Sequence, residues 1–178
     1  LDESGNDNHG KKHNEVTLQN GKIGRAAYFD GKNDYIDAGN DDSLNITGTL
    51  SISAWIMSYE QSSSYNGIVS KSESNSNGWE FRTGSVYSDS HTYVQCRIDG
   101  DLGNSGTVNL ENKRWYFLTG VYNGSDTLLY VNGVLKKNRT YSTTIFTNER
   151  NLTIGRLAYA HLYFNSSVDE AKVFNTSL

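Results

Sequence analysis

The sequence holds no proline and a single cysteine, Cys96. One thiol excludes an internal disulfide, so even in an oxidising compartment the fold stands without that staple. With no proline, no sheet edge is blunted by a residue lacking an N–H. No apolar run approaches the roughly 18–20 residues that cross a bilayer as a helix. Positive charge is also short: 16 Lys and Arg stand against 20 Asp and Glu, a formal net charge of −4. That balance argues against nucleic acid and against anionic membrane surfaces as partners. Neither a helix of ordinary length nor an internal repeat is visible.

What the chain does have is aromatic bulk and short alternating segments. Twelve Tyr, six Phe and three Trp compensate for a hydrophobic content of only 35%, since such rings bury much area while keeping polar edges wet. A length of 178 residues fits one all-β domain. The chain opens at Leu1 without a signal-like apolar segment, and reads as a module of a longer surface or secreted protein. Six Asn-x-Ser/Thr sequons, at Asn45, Asn123, Asn138, Asn151, Asn165 and Asn175, point to surface loops and an extracellular setting.

Two strand-like runs, Ala26–Phe29 and Tyr35–Ala38, flank a turn built from Asp30, Gly31, Asn33 and Asp34. Gly tolerates positive φ there, and Asx side chains bond their own backbone. Val168–Phe174 supplies a strand partner far downstream. Between them, Thr49–Met57 alternates cleanly, with Leu50, Ile52, Ala54 and Ile56 on one face and Trp55 on the other. Cover on both faces is what two stacked sheets provide, and Trp55 and Trp115 are expected to be largely buried. Further strands are predicted at Val16–Leu18, Ile68–Ser70, Trp79–Arg82, Thr92–Asp99, Arg114–Tyr122, Thr127–Val131 and Asn151–Gly155. Asn132-Gly133 marks a type I′ hairpin, and Asp41–Asn45 a capped helical turn. Cys96 lies in a strand-periodic run and reads as a small buried hydrophobe. The pattern predicts an antiparallel two-sheet jelly-roll sandwich.

The organising stretch Gly24–Gly39, with Thr49-Leu-Ser-Ile-Ser-Ala-Trp55, Leu129-Tyr-Val-Asn-Gly133 and Val168-Asp-Glu-Ala-Lys-Val-Phe174, resembles the laminin G-like and pentraxin type of concanavalin A-like lectin/glucanase domain. The resemblance runs over essentially the whole chain. It implies a jelly roll whose acidic N-terminal loop packs beside the final strand. It also implies a structural calcium ion near Asp30, Asp169 and the Asx cluster around Asp2 and Asn6. Calcium takes six to eight oxygens, and these carboxylates with the Asp2–Asn8 loop supply them if the termini meet. The plainer alternative is that each Asp bonds turn amides. A second acidic loop, Asp99–Asn104, has Leu110 where a calcium loop needs its bidentate Glu, and reads as a turn.

Glucanases of this fold class carry two carboxylates a few residues apart on one strand, which sets acid and nucleophile about 5 Å apart for retaining hydrolysis. Nothing here matches. Glu80 stands alone in Trp79-Glu-Phe-Arg82, and the adjacent Asp169 and Glu170 point to opposite faces. The four His, at 9, 13, 91 and 161, accompany no nucleophile motif. A non-catalytic chain is expected.

Sugar sites pair an aromatic platform with planar hydrogen-bonding groups. Candidates are Tyr59, Tyr65, Trp79, Tyr87, Tyr93, Tyr159, His161 and Tyr163, any one of which is equally accounted for by packing. The set that stands out is Tyr159, His161 and Tyr163 with Trp79 and Tyr87, because the Tyr159–Tyr163 loop needs no aromatics for a core. Two functions follow: a carbohydrate-recognition module of an extracellular or cell-surface protein, or an adhesion domain that contacts another protein or a neighbouring domain.

Overall fold

The computed structural model describes residues 1–59, 65–73, 77–83, 91–99 and 105–178, without side chains at 91–93. In chain order the strands are β1 (Lys11–His13), β2 (Thr17–Asn20), β3 (Arg25–Asp30), β4 (Tyr35–Asp37), β5 (Leu50–Ser58), β6 (Gly67–Glu73) and β7 (Asn77–Thr83). They continue as β8 (His91–Ile98), β9 (Val108–Glu111), β10 (Tyr116–Tyr122), β11 (Asp126–Val131), β12 (Val134–Thr140), β13 (Thr153–Ile154) and β14 (Asn165–Phe174). The first sheet runs β1-β4-β13-β6-β7-β8-β9 and the second β12-β11-β10-β5-β14-β3-β2, all pairs antiparallel.

The two sheets stack as the alternation of β5 requires. Leu50, Ile52, Ala54 and Ile56 are at most 1% exposed, and meet Val69, Phe81, Cys96 and Ile98 of the first sheet in one core. Gly120 marks a close approach of the two sheets: a Cβ there would lie 2.5 Å from Cys96 Sγ and from Phe81. Burial pushes the Cys96 thiol up to about 12, so it is inert packing. Trp55 instead lies on the outer face of the second sheet, half-buried between Phe117, 5.2 Å away, and Lys22 Nζ, 5.1 Å from its ring. Trp115 is half-buried too and precedes β10. The large burial expected of both is met in part: each ring is half-buried and neither joins the core, Trp55 because it faces outward from β5 and Trp115 because it lies just ahead of β10.

The organising stretch carries the chain from one sheet to the other, since β3 belongs to the second and β4 to the first. Asp34, 1% exposed, secures the crossing by accepting from Glu15 N at 2.9 Å and Asp30 N at 3.2 Å. As expected, β14 pairs with β3, Asn165 opposite Asp30 and Val168 opposite Ala27. The N-terminal segment adds β1 to β4 in the first sheet, and the acidic loop ahead of it brings Glu3 near enough to Lys172 of β14 to favour the charged ammonium. The strand β9 carried no clear sequence signal. Asp41 caps the 3-10 turn Asp42–Leu44 by accepting from Ser43 N. Asn132 and Gly133 take φ of 52° and 77°, as a type I′ hairpin demands. Of the sequons, Asn123, Asn138, Asn151 and Asn175 are exposed, whereas Asn45 and Asn165 are part-buried.

Candidate functional site

Cross-strand pairing places Ser70, Glu80 and Arg97 side by side on the outer face of the first sheet. Ser72, Arg82 and Gln95 follow on that face, two residues along their strands. All six are at most 5% exposed, which charged residues reach only when paired. Arg97 Nη1 lies 2.7 Å from Glu80 Oε1 and Arg82 Nη1 3.4 Å from it. Ser72 Oγ donates to Glu80 Oε2 at 2.5 Å, and Ser70 Oγ lies 3.1 Å from Ser72 Oγ.

The loop between β13 and β14 covers this network. Ala158 N donates to Ser70 Oγ at 3.1 Å, and Gly67 N donates to Leu162 O at 3.3 Å. The loop crosses so closely over β6 that a Cβ on Gly67 would stand 2.1 Å from the Arg156 carbonyl. Tyr159 hangs from the loop over the charges. Burial first, then the Glu80 carboxylate, push its phenol above the ordinary range, with Arg82 opposing. Burial also lowers the Arg82 guanidinium, against the pull of Glu80. That guanidinium lies 4.0 Å from the ring centre of the exposed Tyr65.

On the other side of the same loop, aromatic rings form a half-exposed strip. His13 stacks on Tyr35 at 4.3 Å with planes 5° apart, and the Arg156 guanidinium sits 3.8 Å from the Tyr35 ring centre. The order β1-β4-β13 sets these two on either side of Tyr35. Tyr163 lies 6.3 Å from Tyr35, and its hydroxyl is 2.9 Å from His161 Nδ1. Flat rings beside fixed polar groups are what an oligosaccharide face and its hydroxyls need.

The structure thus brings Tyr159, His161 and Tyr163 to one place and removes Trp79 from it. Trp79 is 2% exposed, because the parity of β7 puts it with Phe81 in the core while Glu80 and Arg82 face out. Tyr87 lies outside the described residues, as does the side chain of Tyr93. Tyr59 belongs to the second sheet, where its hydroxyl meets Gln19 and Ser167. Sequence reasoning missed His13, Tyr35, Arg82 and Arg156. Tyr35 had a signal, since strand alternation set it opposite the apolar Ile36; the others gain meaning only from pairing.

Within the row of Glu80, the other carboxylate is Asp37, reached through Ser70 and Thr153. Three strand spacings are about 14 Å, beyond either hydrolase geometry. The expected metal ligands are also divided. Asp30 ends β3, whereas Asp169 is level with its start, bonded by Ile23 N at 2.8 Å. Four residues of strand, about 13 Å, separate them, so the convergence expected of this pair does not occur. Asp30 Oδ1 accepts from Lys32 N, as an Asx turn does. Asp2 accepts from Ser4 N, Ser4 Oγ and Asn8 N, and Asn6 is turned to Ser4. Among the described residues no three His, Cys, Asp or Glu are grouped as a metal would need.

The chain resembles domain 4 of an extracellular arabinanase from Geobacillus stearothermophilus, solved with arabinotriose: 18% identity over 93% of this chain and 78% of that one, TM-score 0.67. It also resembles the receptor binding domain of botulinum neurotoxin mosaic serotype C/D, with 15% identity over 100% of this chain and 45% of that one, TM-score 0.69. A botulinum neurotoxin DC binding domain solved with rat synaptotagmin II gives 16% identity over 100% and 46%, TM-score 0.65. The chain spans less than half of these toxin domains. No curated protein matches it. The family model Laminin_G_3 matches residues 30–178, and with the two-sheet sandwich this places the chain in the concanavalin A-like lectin/glucanase superfamily.

Proposed function

We propose that this chain is a non-catalytic carbohydrate-binding module of an extracellular or cell-surface protein. The observation that carries this proposal is the half-exposed strip of Tyr35, Tyr163 and His161 beside Arg156, held by a loop whose inner side is fastened to a buried polar network. Ring faces stack on the apolar side of a pyranose, and the guanidinium, imidazole and phenol reach its hydroxyls. The arabinotriose complex of the arabinanase domain supports a sugar ligand in this superfamily. The spacing of Glu80 from Asp37 supports binding without hydrolysis. Incubating the chain on a glycan array tests it: retention on one sugar class, weakened by Tyr163→Ala with unchanged melting, is the expected result. Uniform silence overturns it.

One observation favours protein adhesion as a second function. All seven residues of the edge strand β12 are exposed, including Val134 and Leu135 at 55% and 47%, and an open edge accepts a strand from a partner. A silent array with protein capture that Leu135→Pro abolishes would favour it.

A further inference from the structure

Lys71 is 2% exposed. Its place on β6, directly opposite Trp79, aims it toward the core side of the first sheet. The ammonium carbon chain is therefore packed, and the terminal nitrogen is held by oxygens alone. Nζ lies 3.2 Å from Asn148 O, 3.0 Å from Arg150 O and 2.5 Å from Asn40 Oδ1. Asn40 follows β4, where Leu152 N donates to Gly39 O at 2.7 Å and fixes the approach. The other end of the Asn40 amide is also held: Nδ2 donates to Glu149 Oε2 at 3.4 Å. A buried amine thus touches a carboxamide whose leaving nitrogen touches a carboxylate.

We propose that Lys71 and Asn40 join in an intramolecular isopeptide bond. The neutral Nζ attacks Asn40 Cγ, a new C–N bond forms, and the Cγ–Nδ2 bond breaks. The proton that Nζ sheds ends on Nδ2, which departs as ammonia; the Glu149 carboxylate, beside Nδ2, carries it across. Nothing is oxidised or reduced and no other reactant enters. Burial helps supply the neutral amine, because it lowers the Lys71 pKa, with Glu149 opposing. The Asn148 and Arg150 carbonyls position the nitrogen, and one of them keeps the remaining amide N–H. The product ties β4 to β6 across 31 positions of chain. In a protein with one cysteine this supplies the constraint on the unfolded chain that a disulfide supplies elsewhere.

Intact-mass measurement of the purified chain tests this. The expected mass is lower than the sequence mass by one ammonia. Proteolysis then yields a branched peptide joining the Lys71 and Asn40 segments. Lys71→Arg, which keeps the charge, restores the full mass, and Glu149→Ala leaves a fraction of chains unjoined. A wild-type mass equal to the sequence, with the two segments recovered separately, overturns the proposal and leaves Lys71 as a charged cap on three oxygens. Loss of ammonia without the branched peptide, as succinimide formation at an Asn-Gly would give, overturns it as well.

Discussion

Glu80 and Arg97 face each other across β7 and β8 with 2.7 Å between Oε1 and Nη1, neither more than 2% exposed. Arg82 leans on the same oxygen from farther along β7. One carboxylate thus holds two guanidinium groups beneath Tyr159. Removing one partner of a buried pair costs about 3–5 kcal/mol, because a charge is left unpaired. Glu80→Ala is expected to lower stability by that amount in urea titration, a large share of the roughly 5–15 kcal/mol a domain has. A loss under about 1 kcal/mol would show that the cluster behaves as a solvated surface pair.

Asp34 makes a quieter contribution. Its carboxylate serves Glu15 N and Asp30 N where the chain crosses between sheets. Asp34→Ala would leave both amides seeking water in a turn with little room, at about 1–3 kcal/mol per buried unsatisfied group. Thermal unfolding should show the drop, and Asp34→Asn should recover part of it. Equal melting of all three proteins would mean the turn is set by Gly31 and backbone sterics alone.

Asp99 gives a pH signature. It accepts from Gly78 N at 2.9 Å and from Phe146 N at 3.2 Å, yet burial outweighs those bonds and raises its pKa above the ordinary 3.8. The folded protein then holds this proton to higher pH than the unfolded chain does. The stabilisation from protonation is complete below the ordinary value and is lost as pH rises through the raised one. Relative to Asp99→Asn, which mimics the protonated form, wild-type stability should fall over that window. A difference that stays flat with pH would contradict the assignment.

Much of this architecture was legible because alternation fixes which residues share a face. Leu50, Ile52, Ala54 and Ile56 announced one side of β5, and Asn132-Gly133 announced its hairpin. Alternation does not say which face is inside when both carry large side chains. Trp79 and Tyr159 show the consequence: both looked like platforms, but β7 buries the Trp to keep Glu80 and Arg82 outward. The network around Glu80 was invisible for another reason. Its members come from three strands whose register the sequence does not print, and lone Arg and Ser residues carry no motif. The same register separates Asp30 from Asp169, two residues that a shared strand pair seemed to bring together.

That separation bears on calcium. Asp169 is level with Ala26 and bonded by Ile23 N, the Asp2 carboxylate already accepts three hydrogen bonds, and Asp30 stands at the far end of β3. Excess EDTA is expected to leave the melting temperature where it was. A fall of several degrees, restored by calcium and absent in Asp169→Ala, would instead assign a metal to the Asp169 end of the sandwich.

Tyr163 and Trp79 allow binding and folding to be told apart. Trp79 fills core between the sheets at 2% exposure, and truncating such a ring costs about 3–5 kcal/mol. Tyr163 is half-exposed, and its ring contacts Tyr35 and His161 at 6.3 and 6.1 Å without entering the core. Losing it removes a stacking face but little buried area, so Tyr163→Ala should melt near the wild type. Base–ring stacking in other ligand classes is worth about 1–3 kcal/mol per platform, and a sugar face on Tyr163 is expected to lie at the lower end. Titration calorimetry with the glycan selected on the array should then show about a tenfold weaker Kd, since 1.4 kcal/mol is a factor of ten. Tyr163→Phe keeps the ring and loses the hydroxyl at His161 Nδ1, and so should fall between the two. If Tyr163→Ala bound as tightly as the wild type, the strip would not be the sugar platform, and Tyr65 over Arg82 would take its place.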